Sequence, residues 1–286
     1  MPAILTDIPA DACTVDPPAV PSGAADPARV RVEVLGPIRL VRGGVPVDDQ
    51  VWRTRDRVRQ LMAFLTIHPR VSRRRVEAAL WPDLGDDKAA ANLRVTLNYL
   101  QRVLEPDREA YTAPRFVRCE GDSLALVDEH LAVDLREAER DLAEARRLDM
   151  ADEAGLALAA YLRVIGTVRG DYLDDCAAGG WAEMERFRVA TLVVGARCRA
   201  GELLAARGEP ERAAALAAEV LAGEPCQERA GRLLAGALAA QGDGATARRV
   251  LAELVDRLAG LGVAPEPETA RLATQFSATA VLRRVA

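Results

Sequence analysis

Between Val30 and Val47 apolar and polar residues alternate, VRVEVLGPIRLVRGGVPV, and this period of two predicts short strands. Gly36-Pro37 breaks the run and Gly43-Gly44 supplies a tight turn, so a small antiparallel sheet is expected. From Arg57 the period changes. Val58, Leu61, Met62 and Leu65 recur at helical spacing, and Pro69 stops that run. Ser72 is placed to N-cap a second helix, which carries Val76, Ala79 and Leu80 to the Trp81-Pro82 break. A third helix follows, with Asp86 and Asp87 in its first turn, where carboxylates meet free amides and the positive end of the macrodipole. After it, RFVRCEGDSLALV has the alternation and turn residues of a β-hairpin.

Three helices followed by a hairpin is the layout of a winged-helix DNA-binding domain. Beyond Leu131 the pattern is helical to the end, beginning with Asp134 and Glu137 at the spacing of a capping box. Gly208 and Gly242 lie 34 residues apart in matching contexts, AARGEPERAAALAAEVL and AAQGDGATARRVLAELV. Ala213 aligns with Ala247, Leu216 with Val250 and Val220 with Leu254. That period is the signature of tetratricopeptide repeats, whose helix pairs stack to bury their apolar faces. The expected fold is mainly α with a small β component: a winged helix-turn-helix domain over 29–127, then a tetratricopeptide-like all-α domain over 131–277. Residues 1–28, rich in proline and small residues with no hydrophobic period, read as a disordered tail.

Composition sharpens this outline. Half of the chain is apolar but only 4% is aromatic, which favours close-packed helices of Ala, Leu and Val over a β-sandwich. The net charge of −5 hides a polarity: residues 29–127 carry 18 Lys plus Arg against 13 Asp plus Glu, while both flanking segments are acidic. A basic segment beside acidic ones suggests a polyanion-binding domain joined to another function. Five scattered cysteines without a C-x-x-C pair fit reduced thiols, and two distant histidines form no metal-ligand cluster. No apolar run is long enough to span a membrane and residues 1–28 lack the positive charge of a signal peptide, so a cytoplasmic protein is expected.

On a helical wheel Leu93, Leu97, Leu100 and Leu104 form one stripe of the third helix. The remaining face carries Asn92, Arg94, Val95, Asn98, Tyr99 and Arg102, the candidate base-reading residues. Arg can donate two hydrogen bonds to guanine, Asn can bond adenine on two atoms, and Val can touch a thymine methyl. An ordinary solvated helix would show a similar face, so the flanking charges decide. Arg53, Arg55 and Arg57 precede the first helix, Arg73, Arg74 and Arg75 open the second, and Arg115 and Arg118 lie at the hairpin. These are candidate phosphate contacts, which supply affinity and register while base contacts discriminate.

Other chemistries are disfavoured. Phe64, Trp81 and Phe116 sit on apolar periods where core aromatics belong rather than bases stacked on a single-strand platform. Carboxylate pairs such as Asp48-Asp49 and Asp174-Asp175 are sequence neighbours without a nucleophile and base, so no enzyme is expected. The single lysine, Lys88, stands in GDDK and not in a phosphate-binding loop, and no cofactor is implied. A helical-repeat interaction scaffold with a degenerate winged helix is the alternative, favoured by the acidic pI near 5.4.

The runs VEVLGPIRLVRGG, SRRRVEAALWPD and AAANLRVTLNYLQRVLEP resemble the OmpR-like winged helix of the actinobacterial antibiotic regulatory proteins, the SARP family. VDLREAERDLAEA, RGDYLDD, WAEMERFRVATL and LGVAPEPET are similar to the bacterial transcriptional activation domain that follows it. The resemblance runs from Val30 to about Phe276. It implies a transcription factor, usually an activator, that binds direct repeats in double-stranded DNA near promoters as a head-to-tail homodimer and contacts RNA polymerase. It places the recognition helix at Asn92 to Arg102 and the wing at Phe116 to Val127. Asp86-Asp87 and the exposed Val95 depart from any operator-reading pattern that can be matched, and helix 243–260 lacks an expected aromatic in its first turns.

Overall fold

The computed structural model describes residues 29–109, 111–127, 129–176 and 179–285, with side chains to residue 277. The segment expected to be a disordered tail, 1–28, lies outside the described residues. Two compact units form, one from residues 29–144 and 163–193, the other from 145–162 and 194–285. The boundary expected between 127 and 131 falls inside the first unit.

The first unit begins as the alternation predicts. Strands β1 (Val30–Glu33), β2 (Arg39–Arg42) and β3 (Val45–Pro46) pair antiparallel, with Gly43 and Gly44 at positive φ in the turn. Strand β7 (Leu131–Val133) adds parallel to β1, giving the order β3-β2-β1-β7. Four helices follow β3 where the periodicity predicts three. The extra one, α1 (Gln50–Thr54), is a single turn capped by Asp49, which accepts from the Trp52 amide at 3.0 Å, and it buries only Trp52. Then come α2 (Asp56–Ile67), α3 (Arg73–Leu80) and α4 (Asp86–Leu104). The hairpin of β5 (Val117–Glu120) and β6 (Ser123–Leu126) forms as expected and recruits β4 (Arg70–Ser72) into a three-stranded sheet of order β4-β6-β5. Leu61, Phe64, Leu93, Leu100, Leu104 and Leu124 fill the core, each stabilising by about 1.5–3 kcal/mol through burial. Phe64, Trp81 and Phe116 are all buried.

Asp134 opens α5 (Asp134–Met150), but not as a capping box. Its carboxylate accepts from the amides of Val34 at 2.8 Å, Leu35 at 3.1 Å and Leu135 at 2.7 Å, while Glu137 pairs with Arg31. The same turn after β1 is gripped twice more. Arg169 donates to the Pro37 carbonyl at 3.2 Å, and Asp175 accepts from the Ile38 amide at 2.8 Å. Gly36 is at φ +135, and a Cβ there would lie 3.0 Å from Arg169 Cβ. Residues after the wing thus hold the turn beyond β1.

The second unit is helical. It takes the end of α5, most of α6 (Ala154–Thr167) and the later part of α7 (Glu183–Ala206) with α8 (Pro210–Gly223), α9 (Glu228–Ala240), α10 (Gly244–Gly260) and α11 (Pro267–Val285). Gly208 and Gly242 end α7 and α9 at positive φ, and the next amides, Glu209 and Asp243, close back on Leu204 and Leu238 carbonyls at 3.0 and 2.9 Å. The aligned pairs Ala213 and Ala247, and Val220 and Leu254, are buried at equivalent places. The unit is tetratricopeptide-like, as the period predicts. The aromatic absent from α10 is supplied from α11: Phe276 packs on the Ala235, Ala247 and Leu251 cluster.

Candidate nucleic-acid interface

Helix α4 buries Leu93, Leu97, Leu100 and Leu104 and exposes the opposite face. On that face Asn92, Arg94, Asn98 and Arg102 are exposed, Val95 is 52% exposed, and Tyr99 is half-buried. Lys88, absent from the sequence candidates, stands on the same stripe, since positions 88, 92, 95, 99 and 102 recur at helical spacing. That spacing was the available signal; the neighbouring Asp86-Asp87 pair masked it.

Both ends of α4 are fixed. Asp86 and Asp87 occupy the first turn behind a Gly85 N-cap. At the other end Arg42 of β2 donates to the carbonyls of Val103 at 3.0 Å and Leu104 at 2.9 Å, satisfying acceptors that a helix terminus leaves free. Gln101 donates to the Val117 carbonyl at 3.3 Å, and Glu105 accepts from the Arg115 amide at 2.8 Å, joining α4 to the wing. Helix α3 is tied to the wing turn as well, because the Arg73 amide donates to the Asp122 carbonyl at 2.8 Å. Ser72 caps α3 through the Arg75 amide at 3.3 Å, as its sequence position predicts.

The eight candidate phosphate-contacting arginines differ in what holds them. Arg53 pairs with Asp48 at 2.9 Å, Arg57 donates to Gln60 at 2.6 Å, and Arg55 lies 4.1 Å over the Tyr99 ring. Tyr99 therefore supports an arginine as well as lining the α4 face. Arg75 Nη2 lies 3.4 Å from His68 Nε2, and burial, followed by the Arg75 charge, holds His68 below its ordinary pKa, so the ring facing that guanidinium is neutral. By contrast, among the described residues Arg73, Arg74, Arg115 and Arg118 make no side-chain ion pair, nor do Lys88, Arg94 and Arg102. Elsewhere in the same unit arginines are matched to carboxylates: Arg59 to Asp56 and Asp175, Arg163 to Asp141, Arg188 to Glu139 and Glu185. The acidic wing turn is itself offset, since Glu120 pairs with Arg70 at 2.6 Å.

The sequence model of the bacterial transcriptional activator domain matches residues 133–276. The chain belongs to that family. A winged helix stands ahead of that domain, the order that the resemblance to SARP-type transcriptional regulators implies. Among solved structures, this chain is similar to EmbR of Mycobacterium tuberculosis, a structure determined in complex with a low-affinity phosphopeptide, with a TM-score of 0.74 at 20% identity. The match covers 88% of this chain and 65% of that chain. No curated protein sequence matches it. Among the described residues no helix is long and apolar enough to cross a membrane.

Proposed function

We propose that this chain is a cytoplasmic, sequence-specific DNA-binding activator that inserts α4 into the major groove. The observation that carries the reading is the exposed face of Lys88, Asn92, Arg94, Val95, Asn98 and Arg102, whose cations have no ion-pair partner among the described residues, set between exposed arginines of α3 and the wing. Asn92, Arg94, Val95, Asn98, Tyr99 and Arg102 read base edges. Arg53, Arg55, Arg57, Arg73, Arg74, Arg75, Arg115 and Arg118 contact phosphates. Two copies bind direct repeats head to tail, an arrangement that needs a heterologous contact between protomers. The tetratricopeptide-like unit presents a surface to RNA polymerase. The module boundaries stay at 29–127 for DNA reading and 131–277 for activation.

Arg94→Ala or Arg102→Ala is expected to weaken binding to the specific site by about 1–3 kcal/mol and to leave binding to random duplex nearly unchanged. Equal losses on both duplexes in a fluorescence-anisotropy titration would make these residues phosphate contacts. Arg73→Ala is expected to weaken both duplexes alike and to make the salt dependence shallower by about one unit of log K against log salt. An unchanged slope removes Arg73 from the interface. The scaffold reading, favoured by the sequence pI near 5.4, predicts that selection from genomic fragments at physiological salt enriches no site.

A further inference from the structure

Helix α4 carries a second, shorter apolar stripe opposite its leucines. On a wheel of 100° per residue that side is centred on Lys88, Ala91, Val95, Asn98 and Arg102, which fall within about 80° of arc. All five are exposed, Val95 by 52%. Ala91 and Val95 stand one turn apart on its midline, an apolar pair with Lys88 before it and Asn98 and Arg102 after it. Packing does not account for Val95. A half-exposed valine adds little to the core, and a β-branched residue is a poorer helix former than the lysine or glutamate that suits an exposed helical position.

Position along the helix adds to this. Ala91 and Val95 are the sixth and tenth of the 19 residues of α4, and the N-terminal part of a recognition helix is the part that meets base edges. Lys88, Asn92, Arg94 and Asn98 around them have polar ends, while these two side chains are short and carry only methyl groups toward the outside. In the major groove the apolar feature of a base edge is the 5-methyl group of thymine. Four helical residues rise about 6 Å, and two base-pair steps rise about 6.8 Å.

We infer that Ala91 and Val95 each cover the 5-methyl group of one thymine, and that the two thymines stand two base-pair steps apart, on either strand, in the duplex that α4 selects. The inference rests on the reading of α4 as the DNA-contacting helix. It adds Ala91 to the base-reading residues and gives the centre of the site its chemistry. Each contact withdraws a methyl group from water on both partners. A cytosine in either place lacks the methyl and presents an amino donor that neither Ala91 nor Val95 can accept, so it is rejected twice over. Ala91 also sets the approach distance, because a longer side chain on the midline holds the helix off the base edges.

Deoxyuridine tests this directly, since it is thymidine without the methyl. The probe is the duplex that the full chain enriches from a randomised pool, resynthesised with deoxyuridine at one thymine at a time and titrated by fluorescence anisotropy. Two thymines, two steps apart, are expected to be sensitive, each replacement weakening the parent by about fourfold, the worth of one buried methyl. Ala91→Gly is expected to lose the sensitivity at one of them and keep it at the other, and Val95→Ala to do the reverse. Each comparison sets two duplexes against one protein, so a change in fold stability cancels. Ala91→Leu, at an exposed position where no core contact is altered, is expected to bind the enriched duplex at least about 30-fold more weakly and random duplex within about threefold of the parent. An enriched site without two such thymines, deoxyuridine duplexes bound as tightly as the thymidine ones, sensitivity unchanged in both variants, or Ala91→Leu binding like the parent overturns this inference and leaves the reading of α4 standing. No enriched duplex at all, or one that Arg94→Ala and Arg102→Ala bind as the parent does, removes that reading and the thymine contacts with it.

Discussion

Asp134→Ala is expected to lower the stability of the first unit by about 3–5 kcal/mol, a large part of the 5–15 kcal/mol typical of a domain. Asp134 is 1% exposed, and its carboxylate is the acceptor for the Val34 and Leu35 amides just after β1 and for its own Leu135 amide. Alanine leaves those donors buried without an acceptor, each costing about 1–3 kcal/mol. It also removes the charge that faces Arg169 at 3.9 Å. Asp134→Asn keeps one carbonyl but turns an amide donor toward backbone donors, so its expected cost is smaller, about 1–3 kcal/mol. Denaturant unfolding gives the first number, and hydrogen exchange at Val34 and Leu35 localises it. An Asp134→Ala protein within 1 kcal/mol of the parent would show that β1 does not depend on this clamp.

The pH dependence of the asparagine variant follows from the same burial. Desolvation raises the Asp134 pKa, opposed by the hydrogen bonds from Val34, Leu35 and Leu135 and by Arg31. A carboxyl group with a raised folded-state pKa binds its proton more tightly folded than unfolded. The stability it contributes is fully present below the unfolded value and is lost as pH rises through the folded one. The parent thus gains relative to Asp134→Asn as pH falls, and the deficit of the variant widens from neutral pH toward pH 4.

Elements that rest on local chemistry were legible in the sequence, and those that rest on distant partners were not. Gly208 and Gly242 announce their helix ends because a positive φ is cheap only for glycine, and the matched buried alanines that follow repeat the same packing. Helix α4 was legible for the same reason: its leucine stripe is a property of the helix alone. Strand β7 has three residues and pairs with β1, some hundred positions earlier, so its period carries almost no signal. Asp134 and Glu137 have the spacing of a capping box, yet the Asp134 oxygens are taken by amides from β1 and Glu137 by Arg31. Local spacing cannot reveal a competing partner. At the candidate interface, sequence could place the arginines near α4 but could not tell which were held by neighbours. Arg53 and Arg55 are engaged by Asp48 and Tyr99, whereas Arg73, Arg74 and Arg118 are not paired among the described residues.

Val95→Glu is expected to reduce binding to specific and random duplex alike by at least about 100-fold, close to 3 kcal/mol, without loss of fold. Val95 is 52% exposed near the middle of the α4 stripe, between Asn92 and Tyr99, so no core contact is surrendered. Glutamate also has a better helix propensity than valine, which keeps the melting temperature close to that of the parent. In a groove, however, the new carboxylate meets phosphates and acceptor-rich base edges, and like-charge juxtaposition costs several kcal/mol. Val95→Ala separates contact from repulsion: it removes only the apolar touch, so its loss stays near 1 kcal/mol and is confined to sites with a thymine at that position. Leu156→Glu, at a 58% exposed position of the second unit, adds the same charge away from the face and is expected to change duplex binding by less than about twofold. Duplex binding by Val95→Glu equal to that of Leu156→Glu, with both proteins folded, would place the groove-facing surface somewhere other than this face of α4.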